Sequence, residues 1–183
     1  MNEEKKKLTL ADRLAVVIST CGVGYLPIAP GTWGSLVGVA IYLVVFLLEY
    51  NFGIFLLHRG WLGPQLESWM YTVNLVLLLF LTLVGIAAAT RASKIFNEKD
   101  PSRTVIDEVM GQLIVFLFIP LTTTWWLIAA GFLLFRLFDI WKPYPVHVLQ
   151  DLPGGLGVCA DDIVAGIYAG IALSVIYSLS FSF

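Results

Sequence analysis

The chain has 183 residues, of which 58% are hydrophobic and only 13% charged, and its mean hydropathy is +0.85. A soluble domain is nearer a quarter charged, so the composition excludes an ordinary water-soluble globule and predicts an all-α integral membrane protein of one domain, residues 1–183. The net charge of −2 says less than the distribution of charge along the chain, and Cys21 and Cys159 are too few and too far apart for a zinc site or a disulfide framework.

Residues 1–7 read as a polar, lysine-bearing tail. No cleaved signal peptide is expected, because Asp12 and Arg13 interrupt the early apolar run, and the termini carry no lipidation motif. Thr9 is suited to cap a helix whose apolar stripe is Leu10, Leu14, Val17, Ile18 and Cys21, a segment that lies in the membrane interface or packs on the bundle. Two prolines and four glycines across residues 22–35 predict a loop.

Five membrane-embedded helices follow, at about 35–57, 71–90, 105–120, 123–140 and 162–182, with polar connections at 58–70 and 91–104. The segment 105–141 is too long for one helix and contains Pro120, so it reads as a hairpin turning near Pro120–Thr124. Basic residues favour that reading. With the N-terminus inside, Lys5, Lys6, Lys7, Arg13, Arg91, Lys94, Lys99, Arg103, Arg136 and Lys142 all fall at the cytoplasmic face and only Arg59 falls outside. A helix over 106–120 rises only about 22 Å, so the hairpin is short or its tip is covered by neighbouring helices.

On this topology the polar motifs converge on one membrane face. Asp107 and Glu108 open the third helix; Arg136, Asp139 and Lys142 close the fourth; Asp161 and Asp162 open the fifth. Carboxylates at membrane depth are costly and are usually paired, metal-bound or functional. Three or more of them suit a hard divalent cation such as Mg²⁺, while two histidines, His58 and His147, do not make a zinc site. Arg136, Asp139 and Lys142 share a helical face, where the cations suit phosphate oxygens and the acid suits a metal. Backbone amides around Gly31–Gly34 and Gly154–Gly157 offer anion cradles. Gly111, four residues after Asp107, permits close approach of another helix. Read one at a time, these features have plainer explanations: Asp161 or Asp162 as a cap, Asp139 as an ion-pair partner, the Gly-Thr-Trp-Gly run as a turn with an interfacial tryptophan.

Four motifs taken in order are more specific than any one of them. Ala29-Pro-Gly-Thr-Trp-Gly34, Ile106-Asp-Glu-Val-Met-Gly111, Phe135-Arg-Leu-Phe-Asp-Ile-Trp-Lys-Pro143 and Gly154-Gly-Leu-Gly-Val-Cys-Ala-Asp-Asp-Ile-Val-Ala-Gly166 resemble the successive motifs of the phosphatidylglycerophosphatase A family. The resemblance runs from about residue 22 to residue 170. It implies a small, helical, multi-pass Mg²⁺-dependent enzyme of the bacterial cytoplasmic (inner) membrane, its active site facing the cytoplasm, that removes the terminal phosphate of phosphatidylglycerophosphate.

Under that resemblance Glu108, Asp139, Asp161 and Asp162 hold the metal, and Asp107 orients or deprotonates the attacking water. Lys142 and Arg136 stabilise charge on the phosphate, and Gly31, Thr32 and Trp33 meet the headgroup. An aspartyl-phosphate intermediate is the competing route. The partner expected is the lipid substrate, with no nucleic acid; the oligomeric state is left open. The rival from another class is a small transporter or ion channel whose acids carry cations or protons, although such acids usually lie near the membrane midplane.

Overall fold

The computed structural model describes residues 8–180, so the lysine tail and the last residues of the C-terminal span lie outside the described residues. Among the described residues the chain forms seven α-helices, one short 3₁₀ turn and no strand. The helices are α1 Leu10–Thr20, α2 Pro30–His58, α3 Gly63–Phe96, α4 Ile106–Phe116, α5 Trp125–Trp141, α6 Val146–Leu149 and α7 Gly155–Leu179. Three of them, α2, α3 and α7, are long and apolar enough to cross a membrane, with mean hydropathies of 2.1, 2.4 and 1.7 over their most apolar windows.

Helix α1 begins where the sequence places it. The Thr9 hydroxyl accepts from the Asp12 N–H at 3.2 Å, and the Asp12 carboxylate accepts from the Thr9 N–H at 2.8 Å, a reciprocal cap. Leu10, Leu14 and Val17 of its apolar stripe face outward, while Ile18 and Cys21 pack against the core beside buried Ala15, Ser19 and Thr20. Arg91 of α3 clamps α1 through an ion pair to Asp12 at 2.7 Å. A short helix docked by a mixed face, with Leu10, Leu14 and Val17 turned outward, suits the membrane interface.

Several boundaries differ from those expected. The loop predicted over 22–35 ends at Ala29, which takes a left-handed conformation (φ 48°), and α2 starts at Pro30. Proline in the first turn has no N–H to lose and a φ already suited to a helix, so Gly31, Thr32 and Trp33 are helical. The polar connection predicted over 58–70 shrinks to residues 59–62, because Pro64 suits the first turn of α3 and the Gln65 side chain accepts from the Leu62 N–H. At its other end α3 continues to Phe96, where Asn97 in a left-handed conformation stops it.

The expected hairpin is present as two separate helices, but its first arm stops at Phe116. Eleven residues give α4 a length of roughly 16 Å, too short to cross a bilayer core. It survives because it is wrapped: Val109, Met110 and Val115 have no exposed surface, and α2, α5 and α7 surround it. Tyr42 of α2 closes the hairpin tip, donating its hydroxyl to the Thr122 carbonyl and accepting from the Thr122 N–H, both at 2.9 Å.

Helices α4 and α7 pack backbone to backbone. A Cβ on Gly111 would lie 2.7 Å from the Asp162 carbonyl oxygen, and one on Gly166 would overlap the Gly111 carbonyl. Glycine at both positions therefore brings the two acidic helices into backbone contact.

Candidate active site

The acids are placed by three elements that meet at one end of the bundle. Asp107 and Glu108 occupy the first turn of α4, where the helix dipole favours anions. Asp161 and Asp162 do not open α7. The helix starts at Gly155, so the pair sits about two turns inside it and caps nothing. The glycine run before them is a packing device: the Gly155 N–H donates to the Thr90 hydroxyl at 2.9 Å and is not free to hold an anion. Asp139 comes from the last turn of α5 and Arg136 from the turn before it, and Lys142 is its left-handed C-cap.

Carboxylate oxygens of Asp107, Glu108 and Asp162 lie within 4.8 Å of one another. Asp107 Oδ1, Glu108 Oε2 and, nearby, Asp161 Oδ1 are buried and have no hydrogen-bond partner among the described residues. Three converging carboxylates, two of them with an unpartnered buried oxygen, form a mutually repelling set that calls for a cation. Hard oxygen donors fit Mg²⁺ or a similar ion, and neither histidine lines the recess.

Two acids that the sequence reading places on the metal are held by cations of the chain itself. Arg136 Nη1 donates to Asp139 Oδ2 at 2.6 Å. Lys142 Nζ donates to Asp161 Oδ2 at 2.6 Å, and Gln150 Nε2 donates to the same oxygen at 2.8 Å. Burial by itself lowers the pKa of the Lys142 ammonium, but the hydrogen bond from it to Asp161 and the charge of that carboxylate outweigh burial and hold the pKa above its ordinary value.

All these groups except Gln150 line one recess of about 390 Å³. Its α2 wall is Ala29, Pro30 and Gly31; Thr32 and Trp33 are not among the lining residues. The Trp33 indole donates to the Ile28 carbonyl at 3.1 Å instead. Gly31 matters by its missing side chain, since a Cβ there would overlap Glu108 Oε1 and stand 3.2 Å from Arg136 Nη1.

Three residues of the recess neighbourhood were not singled out in the sequence. Asp100 and Thr104 line it from the α3–α4 connection, and Gln150 fixes Asp161 from the end of α6. A carboxylate next to a proline in Lys99-Asp100-Pro101, seven residues before Asp107, is the signal that marks a rigid acidic turn in the sequence. Gln150 carries no such signal, because its neighbour is distant in the chain. Burial, then the charge of Asp161, push the Asp100 carboxyl above the ordinary carboxylate range, with Lys142 opposing.

The family model of phosphatidylglycerophosphatase A matches residues 16–177. A Bacteroides thetaiotaomicron protein that carries the provisional name phosphatidylinositol-3-phosphatase is 37% identical over 165 residues, covering 88% of this chain and 92% of the relative. The phosphatidylglycerophosphatase A of Escherichia coli is 32% identical, covering 91% of this chain and 86% of its own. That of Haemophilus influenzae is 31% identical, covering 96% and 95%. No solved structure matches the chain. The four motifs that form the recess all fall inside the matched region, and the chain belongs to the phosphatidylglycerophosphatase A family of lipid phosphate monoester hydrolases.

Proposed function

We propose that this chain, acting as a single membrane-embedded domain, hydrolyses the terminal phosphomonoester of phosphatidylglycerophosphate with the aid of Mg²⁺, giving phosphatidylglycerol and phosphate. The observation that carries the proposal is the meeting of three carboxylates within 4.8 Å beside Arg136 and Lys142, in a recess at one end of an apolar helical bundle. Family membership and the names of the Escherichia coli and Haemophilus influenzae relatives support the choice of lipid.

Asp107, Glu108 and Asp162 would hold the ion. When bound, it supplies charge neutralisation at the phosphate and a lowered pKa for a water in the site. The remaining work belongs to the chain. Arg136 presents a planar fork, and Lys142 a compact charge, to the phosphate oxygens. Asp139 and Asp161, ligands in the sequence-based set, hold those two cations in place at 2.6 Å each. Gly31 leaves room for the carboxylate of Glu108.

The acyl chains stay in lipid while the headgroup enters from the side. An apolar cleft of about 230 Å³ lined by Ile41, Val45, Leu77, Leu113 and Leu117 lies further down α4 and offers space for hydrocarbon. The basic residues at this end, each worth roughly 1 kcal/mol of attraction near an anionic surface, support a cytoplasmic orientation in the bacterial inner membrane.

The test is phosphate release by the purified protein in mixed micelles of phosphatidylglycerophosphate or of phosphatidylinositol 3-phosphate, with Mg²⁺ or with EDTA. Turnover of the first lipid that EDTA abolishes and Mg²⁺ restores is expected, together with its loss in Asp107→Asn. Full activity in EDTA sinks the metal scheme, and preference for the inositol lipid sinks the substrate assignment.

A further inference from the structure

Six acids line the recess, and five already have a partner or a task. Asp107, Glu108 and Asp162 form the inner cluster; Asp139 is held by Arg136 and Asp161 by Lys142 and Gln150. Asp100 is the sixth. It lies at the mouth of the recess, open to solvent on its outer side and partly covered on the side that faces the recess, and its carboxyl makes no hydrogen bond among the described residues.

Its backbone, by contrast, is fixed. Ser93 Oγ donates to the Lys99 carbonyl at 3.2 Å, and the Thr104 N–H donates to the Pro101 carbonyl at 2.8 Å. The Val105 N–H donates to Ser19 of α1 at 2.8 Å, and the Pro101 ring is fully buried. A carboxyl held on a pinned turn yet unbonded at its tip is placed to act on a molecule in the recess.

The chemistry lacks one part. With the monoester phosphate directed inward to Arg136, Lys142 and the inner acids, the bridging oxygen and its glycerol face the mouth. That oxygen leaves as an alkoxide, a poor leaving group unless it is protonated as the bond breaks. The inner acids are assigned to the cation and cannot donate a proton there.

We propose that Asp100 is the general acid that protonates the departing glycerol oxygen, an inference that rests on the phosphatase reading above. As the P–O bond to water forms and the P–O bond to glycerol breaks, the Asp100 proton passes to the glycerol oxygen and the free alcohol leaves. One proton of the attacking water stays on the released phosphate and the other goes to solvent, from which Asp100 is reprotonated. Burial and the facing carboxylates Asp161, Asp139 and Glu98 favour the protonated form of Asp100 against the opposing charge of Lys142. General acids of this kind contribute about 10²–10⁴-fold.

The discriminating experiment compares the natural oxygen ester with a lipid analogue whose bridging oxygen is sulfur, since a thiolate departs without a proton. Asp100→Asn and Asp100→Ser are each expected to slow the oxygen ester about 100-fold or more and the sulfur ester less than about 5-fold. Asp100→Glu should keep the oxygen-ester rate within about tenfold of wild type. Equal losses on both esters, or an unimpaired oxygen-ester rate in Asp100→Asn, overturn the assignment. A wild-type protein that releases phosphate from neither ester refutes the phosphatase reading itself, a result distinct from either of those.

Discussion

Lys142 Nζ lies 2.6 Å from Asp161 Oδ2, joining the C-cap of α5 to the interior of α7 across 19 residues of chain. The carboxylate is 5% exposed and the ammonium 28%, so this pair is largely shielded from water. Removing one partner of such a pair leaves a buried charge uncompensated. Lys142→Met is expected to cost about 2–3 kcal/mol, below the range for fully buried pairs because the lysine keeps some solvent. Urea unfolding in detergent measures it. Adding Asp161→Asn should recover most of the stability but none of the activity, which separates the structural use of the pair from its use on phosphate.

Gly31→Ala tests the space reserved for Glu108. The residue is in the first turn of α2, where alanine is tolerated by the backbone, but its Cβ would overlap Glu108 Oε1. The fold should persist with α2 and α4 slightly parted or Glu108 swung away. Phosphate release is expected to fall about 100-fold, as a misplacement of about an ångström in a site can cause. An alanine variant with wild-type turnover would remove Gly31 from the site.

Acid should release α1. The Thr9 hydroxyl bond first, and then Arg91, pull the Asp12 carboxyl down to about 2. A depressed carboxyl pKa stabilises the docked form above its unfolded value of about 3.9, and that stabilisation is lost as pH falls through the folded value. Docking of α1 on α3, followed by a fluorescence pair, should hold from pH 7 to about pH 4 and fail toward pH 2. In Asp12→Asn the interface should be weaker at neutral pH and indifferent to acid.

Much of the architecture could be read from the residues in order. Apolar runs of sufficient length announced the spans, Pro120 announced the break in the 105–141 segment, and Thr9 announced the start of α1. Boundaries failed where a capping residue outweighed composition. Polar-looking stretches around Gly31 and Gln65 joined the helices because Pro30 and Pro64 suit their first turns, and Gly155 started α7 well before the aspartates. The acids of the site were legible because carboxylates are rare in such a chain. Asp100 carried only the signal of an acidic turn before a proline and Gln150 carried none, because neither shows in the sequence that the fold brings it to the other acids.

Composition and order of residues suffice to make this chain helical and membrane-bound, with a small set of acids and bases too costly to be idle, because desolvation penalties apply wherever such groups sit in an apolar chain. How those groups divide depends on the packing of the helices. Gly111 and Gly166 bring α4 and α7 into contact, which gathers Asp107, Glu108 and Asp162 into one cluster; Arg136 and Lys142 then take Asp139 and Asp161. That division is a matter of ångströms between helices far apart in the chain, and electrostatic energy depends on those distances rather than on order along the backbone.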